Sequence, residues 1–153
     1  MYPTNRSGFT LVELVLILGI IATLVAIALP AYDSYKDRVR LAKAVFDIAG
    51  LSAEVKKYGD EYRFYPGSLA DIGRDTMRDP WGNPYRYLSH DNVNGKGGFR
   101  KDKNIVPINS DFDLYSMGPD GESVPPLTAK VSRDDIIRAN DGAFIGLASQ
   151  YDP

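Results

Sequence analysis

The sequence predicts an α+β fold, in which one long N-terminal helix, hydrophobic in its first half and amphipathic in its second, packs on a small antiparallel sheet with irregular C-terminal loops. Three observations predict it. The 153 residues include 18 Lys+Arg and 20 Asp+Glu, yet of these only Arg6 and Glu13 precede position 33. Apolar residues keep a helical period beyond that point, and from position 60 the period gives way to dense Pro and Gly. A chain of this length is the size of one ordinary domain. The absence of cysteine excludes disulfide scaffolds, thiol catalysis and Cys-ligated metals. A near balance of charge, with a pI near 5.4, argues against a basic nucleic-acid-binding domain.

The first element is the apolar segment. Leu14 to Leu29 carries no charge, and only Gly19 and Thr23 interrupt its aliphatic series. Counted from Phe9 the run is 21 residues, roughly 31 Å as a helix, which matches the roughly 30 Å hydrocarbon core of a bilayer. A secretory signal would be shorter and would end at a small-residue cleavage site, whereas helix-compatible sequence follows here. A plain bitopic anchor fits the length, and Arg6 would hold its N-terminus in the cytoplasm. Neither reading accounts for Glu13. A carboxylate near a bilayer centre costs about 2.5–3.5 kcal/mol, so such a residue needs a partner.

Pro30 closes the apolar half, where a proline kinks or breaks a helix. The helical period then resumes over 31–59. Tyr35, Val39, Ala42, Phe46, Ala49 and Ala53 recur at helical spacing and mark the face expected to pack on the rest of the domain. Gly59 is the expected C-cap, with the helix ending near Tyr58. Beyond it, 60–153 forms the globular part. Ser68 is the expected N-cap of a short helix through Ile72. Asp79-Pro80-Trp81-Gly82-Asn83-Pro84 reads as a turn before a strand at Tyr85–Ser89. His90 to Ser110, with Asn94-Gly95-Lys96-Gly97-Gly98, reads as a long mobile hairpin connection. Asp111–Met117 is the returning strand, ended by the turn Gly118-Pro119-Asp120-Gly121.

Catalytic chemistry finds little footing. His90 is the only histidine, which rules out His-based triads and multi-His metal sites. Gly95, Gly97 and Gly98 lack the context of a phosphate loop. Asp111 and Asp113 begin like an EF-hand loop, but Ser116 stands where its glycine is required. The cluster Lys96, Arg100, Lys101 and Lys103 reads as a solvated loop. The protein is read as no enzyme.

Gly8-Phe9-Thr10-Leu11-Val12-Glu13, after a short polar leader with Arg6, resembles the type IV prepilin cleavage motif. The resemblance implies a pilin fold and a leader, 1–8, removed by a prepilin peptidase between Gly8 and Phe9. The same enzyme would methylate the new Phe9 amine. Residues 9–30 would then be a transmembrane and filament-core helix, with Glu13 pairing to the Phe9 amine of a neighbouring subunit. Asp79-Pro80-Trp81-Gly82 with Tyr85, Tyr115-Ser116-Met117-Gly118-Pro119-Asp120-Gly121, and Arg133-Asp134-Asp135-Ile136 resemble motifs of one branch, the major pseudopilins of type II secretion systems. That resemblance implies a pseudopilus subunit anchored once in the bacterial inner membrane, its globular domain in the periplasm. Its implied partners are other copies of itself, minor pseudopilins, the prepilin peptidase, the assembly platform with its ATPase, and the bilayer before assembly, with no nucleic acid. In that branch calcium braces the C-terminal loop. The matching positions are the Asp120 carboxylate, the Met117 carbonyl, and Asp134 or Asp135 from the returning loop, with the Glu122 carbonyl a further candidate. The hairpin from His90 to Ser110 is longer than the branch usually shows. The rival readings are a type IV pilin of a surface fibre and a bitopic membrane-anchored binding protein.

Overall fold

The structure is a computed structural model that describes residues 8–92, 95 and 97–153. Residues 1–7, with Arg6, of the expected leader 1–8, and Val93, Asn94 and Lys96 of the predicted hairpin connection, lie outside the described residues. The chain divides into two compact units after Arg38, although one helix, α1 (Leu11–Tyr62), contributes to both.

In the first unit α1 is apolar and uncovered: Leu11 to Leu29 present their side chains outward, with an 18-residue window of mean hydropathy 2.8 and none of it buried. A surface this apolar calls for lipid or protein against it. Pro30 lies inside the helix, which continues on both sides of it. The proline cannot donate to the carbonyl four residues back, and the Ser34 hydroxyl donates to the Pro30 carbonyl at 3.0 Å.

The second unit is built on the rest of α1 and a four-stranded antiparallel meander, β1 (Arg86–Ser89), β2 (Phe112–Ser116), β3 (Ile136–Ala139) and β4 (Phe144–Leu147), in that spatial order. Ala44, Ile48, Leu51 and Val55, spaced by 4, 3 and 4, are the buried stripe of the helix. They meet Leu69, Tyr85, Phe112, Leu114 and Ile136. Strand alternation sends Ile137 to the other face of the sheet, where it packs with Ile108, Leu127, Ala139, Ala148 and Tyr151. Tyr85 spans the first core and donates its hydroxyl to Asp47 Oδ2 at 2.8 Å, while Lys43 reaches the same oxygen at 2.7 Å. Burial, with the Asp47 carboxylate beside it, pushes the Tyr85 phenol well above its usual range.

Three expectations are corrected here. The face through Val39, Ala42, Phe46, Ala49 and Ala53 is outward, with Phe46 77% exposed. Two stripes share helical spacing, and the one richer in branched aliphatics takes the core because it buries more apolar area per turn. Gly59 is not the cap. The helix runs on to Tyr62 and ends with Arg63 at φ 67°, its N–H bonded to the Gly59 carbonyl at 2.8 Å. Gly59 is small because the Tyr65 ring lies on it; a Cβ there would stand 2.8 Å from a ring carbon. Finally, Arg100 of the expected solvated cluster is 2% exposed.

Among its described residues, the long β1–β2 connection is held to the sheet at several points. The His90 ring stacks on Phe99 at 4.1 Å and its Nε2 lies 3.4 Å from Asp113 Oδ2. Asp113 Oδ2 also accepts the Arg100 N–H at 2.7 Å, and its Oδ1 accepts the Asn109 amide at 3.0 Å.

Candidate functional site

Two places carry the residues singled out by sequence. The first is the start of α1. Thr10 precedes the helix, and the Glu13 N–H bonds its hydroxyl at 3.2 Å. In return Glu13 Oε2 accepts the Thr10 N–H and hydroxyl, each at 2.9 Å. This is a reciprocal capping box, which satisfies two of the helix's orphan donors. It fixes the Glu13 carboxylate one turn from Phe9, itself 79% exposed. Gly8 has nothing packed where a side chain would be. The Gly8–Phe9 peptide is thus exposed just before the helix, and an acid stands at the head of an apolar surface.

The second place is where the globular motifs meet. Asp79, 5% exposed, organises its own turn: Oδ1 accepts the N–H groups of Trp81 and Asn83 at 3.0 and 2.8 Å. Its Oδ2 accepts the Ser116 hydroxyl at 2.6 Å. The Asn83 amide donates to the Gly118 carbonyl at 3.0 Å. The motifs around Asp79 and Ser116, 37 positions apart, therefore lock into one polar joint, a link that their spacing alone does not reveal.

Ser116 pairs with Ile136, so the chain leaves the sheet beside the segment that enters it through Asp134 and Asp135. Gly118 has φ 66°, and a Cβ there would collide with the Asp134 carbonyl. Gly118→Ala should therefore destabilise the unit by about 2 kcal/mol or more, from left-handed strain plus the clash. Gly73→Ala strains a similar backbone, φ 68°, in open space, so a larger loss of thermal midpoint at Gly118 than at Gly73 is the expected reading. Equal losses would mean that the close approach to Asp134 is unimportant.

Two of the carboxylates expected to hold calcium, those of Asp135 and Asp120, have hydrogen-bond partners within the protein. The Asp135 carboxylate is fully buried, and its Oδ2 already accepts Arg100 Nη2 and the Ser123 hydroxyl, both at 2.6 Å. Burial, opposed by the Ser123 hydroxyl and Arg100, pushes Asp135 up to about 6. Asp120 Oδ1 accepts the Glu122 N–H at 2.9 Å. The Met117 side chain is buried, its sulfur accepting Arg86 Nε at 3.4 Å. Among the described residues no three His, Asp or Glu side chains gather where one ion could take them. Calcium needs six to eight oxygens.

The buried polar centre missed by sequence lies in β3. Arg138, 1% exposed, donates through both terminal nitrogens to Asp111 at 2.7 Å each. It also reaches the Phe112 carbonyl at 3.0 Å and Ser52 of α1 at 2.9 Å. Its guanidinium lies 4.0 Å from the centre of the Phe112 ring.

Comparison with known proteins agrees with this geometry. Residues 3–29 match the prokaryotic N-terminal methylation motif. The chain is 29% identical to type II secretion system core protein G of Pseudomonas aeruginosa, over 80% of this chain and 89% of that protein. The same-named protein of Aeromonas hydrophila is also 29% identical, over 80% and 90%. A fimbrial protein of Neisseria meningitidis serogroup B is 34% identical over 50% of this chain and 45% of its own length. No solved structure matches. A methylation motif in register with an exposed apolar helix, and 29% identity over most of the length to secretion core proteins, make the chain similar to pilin-like proteins.

Proposed function

We propose that the chain is the structural subunit of a helical pseudopilus that pushes folded substrates out of the periplasm in type II secretion. One observation carries this: Gly8, Phe9 and Glu13 stand in the methylation-motif register at the start of an uncovered apolar helix. The helix anchors the precursor once in the inner membrane, with the globular unit in the periplasm. A prepilin peptidase removes residues 1–8 and methylates Phe9. The mature subunit is then drawn from the bilayer by an ATP-driven platform, joins minor pseudopilins and further copies of itself, and performs no catalytic step. Glu13 pairs with the Phe9 amine of a neighbour, because a carboxylate alone in lipid is costly and a paired one is tolerated. The outward stripe of Val39, Ala42, Phe46, Ala49 and Ala53 offers neighbouring subunits a second apolar surface.

Mass spectrometry of the chain from its native membrane tests the reading. The expected species begins at a methylated Phe9. An intact Met1 start in cells with an active prepilin peptidase would sink it. A surface fibre is the second reading, favoured by the match to the Neisseria fimbrial protein. Shearing of intact cells separates the two: the pseudopilus reading expects no long fibres in the sheared fraction at native expression.

A further inference from the structure

The long connection between β1 and β2 enters the C-terminal loop and binds it. Lys101 N–H bonds the Pro125 carbonyl at 3.1 Å, and Leu127 N–H bonds the Lys101 carbonyl at 2.9 Å. Residues 101 and 126 thereby pair as a short parallel bridge. Arg100, next to these main-chain ties, is buried. Its Nη1 donates to the Ser123 hydroxyl at 2.6 Å and the Val124 carbonyl at 2.7 Å, and its Nη2 to Asp135 Oδ2 at 2.6 Å. The Tyr115 ring lies under the guanidinium, 4.3 Å from its centre. Ser123 closes the ring by donating to the same Asp135 oxygen at 2.6 Å.

We propose that Arg100 is an internal cation that takes the place of a metal ion, bracing the loop 118–135 against the sheet without calcium. The guanidinium gathers a carboxylate, a hydroxyl and a carbonyl, the same oxygen types that a calcium ion would collect. It is planar and permanently charged, so it holds them in a fixed fork. Asp135 is neutralised by it, which removes the buried charge that would otherwise favour a divalent ion. The connection that carries Arg100 reaches into the loop it braces, where residue 101 pairs with 125–127. Asp135 Oδ1 has no hydrogen-bond partner among the described residues, so it is the place where an ion would attach if the guanidinium were removed.

The test uses the mature full-length chain in detergent micelles, with fluorescence of Trp81, the sole tryptophan, reporting thermal unfolding. Wild type should give the same midpoint in millimolar calcium and in chelator. Arg100→Met, which leaves Asp135 buried and unpaired, should lower the midpoint by roughly 10 °C or more. Arg100→Lys keeps a charge without the fork and should fall between them, so the comparison survives if the methionine variant does not fold. In Arg100→Met or Arg100→Lys, calcium should recover part of the loss through Asp135. A wild-type midpoint that rises with calcium, and loses that rise in Asp120→Ala, overturns the proposal. So does an Arg100→Met midpoint equal to wild type.

Discussion

Arg138→Met should leave the globular unit largely unfolded at physiological temperature. The substitution keeps an apolar side chain of similar reach but removes the guanidinium that Asp111, Phe112 and Ser52 all address. Asp111 is then a nearly buried carboxylate, 9% exposed, with no cation. Breaking a buried pair from one side costs about 3–5 kcal/mol, because the remaining charge loses its compensation. Against a total stability of about 5–15 kcal/mol, such a loss decides whether the fold persists. The position also joins three elements, since Ser52 lies on α1, Asp111 precedes β2 and Arg138 sits in β3. The losses should therefore appear as one cooperative transition. Trp81 fluorescence and limited proteolysis would follow it, with exposed Arg133→Met as the control. The double change Arg138→Met with Asp111→Leu should regain a large part of the loss, because an apolar pair leaves no orphan charge. A midpoint for Arg138→Met within experimental error of Arg133→Met would remove Arg138 from this central position.

Why sequence reveals some of this and hides the rest follows from how far apart the interacting residues lie. The helix is legible because its signals are local: a charge-free run, then apolar residues at helical spacing. The β1–β2 hairpin is legible because turn residues bracket alternating strands. The hairpin of β3 and β4 escapes, since Ile136-Ile137-Arg138-Ala139 is buried throughout and so shows no alternation. Its one local signal is Asn140-Asp141-Gly142, where all three residues have positive φ, a requirement that favours such residue types. The helix face is misjudged because two stripes satisfy the same period, and only the partner strands choose between them. Arg100 is misread for a related reason. Among Lys96, Lys101 and Lys103 it looks like one more solvated charge, while the carboxylate that buries it lies 35 positions on. The candidate site divides the same way. Gly8, Phe9 and Glu13 form a contiguous motif and can be read directly, whereas the partners of the expected calcium ligands are set by residues far away in sequence, as Arg100 is for Asp135.

Glu13→Gln should reduce filament assembly roughly a hundredfold while leaving membrane insertion and leader removal intact. Glutamine serves as well as glutamate in a capping box, so the bonds to the Thr10 N–H and hydroxyl can persist and the helix start is preserved. What disappears is the charge. On the proposed reading that charge does two things. It makes the isolated subunit uncomfortable in lipid, by about 2.5–3.5 kcal/mol near the centre and less toward the interface. It also gives the incoming subunit a partner in the neighbouring Phe9 amine. Removing it takes away both the push and the latch, and a difference of roughly 2.8 kcal/mol corresponds to a hundredfold. Thr10→Val is the complementary variant, because it loses the hydroxyl half of the cap and keeps the carboxylate. Its assembly should fall far less than that of Glu13→Gln. Carbonate extraction measures insertion, mass measures processing, and cross-linked multimers or sheared filaments from an overexpressing strain measure assembly. If Glu13→Gln assembles like wild type, the carboxylate is only a helix cap, and the docking role belongs to the apolar surface alone.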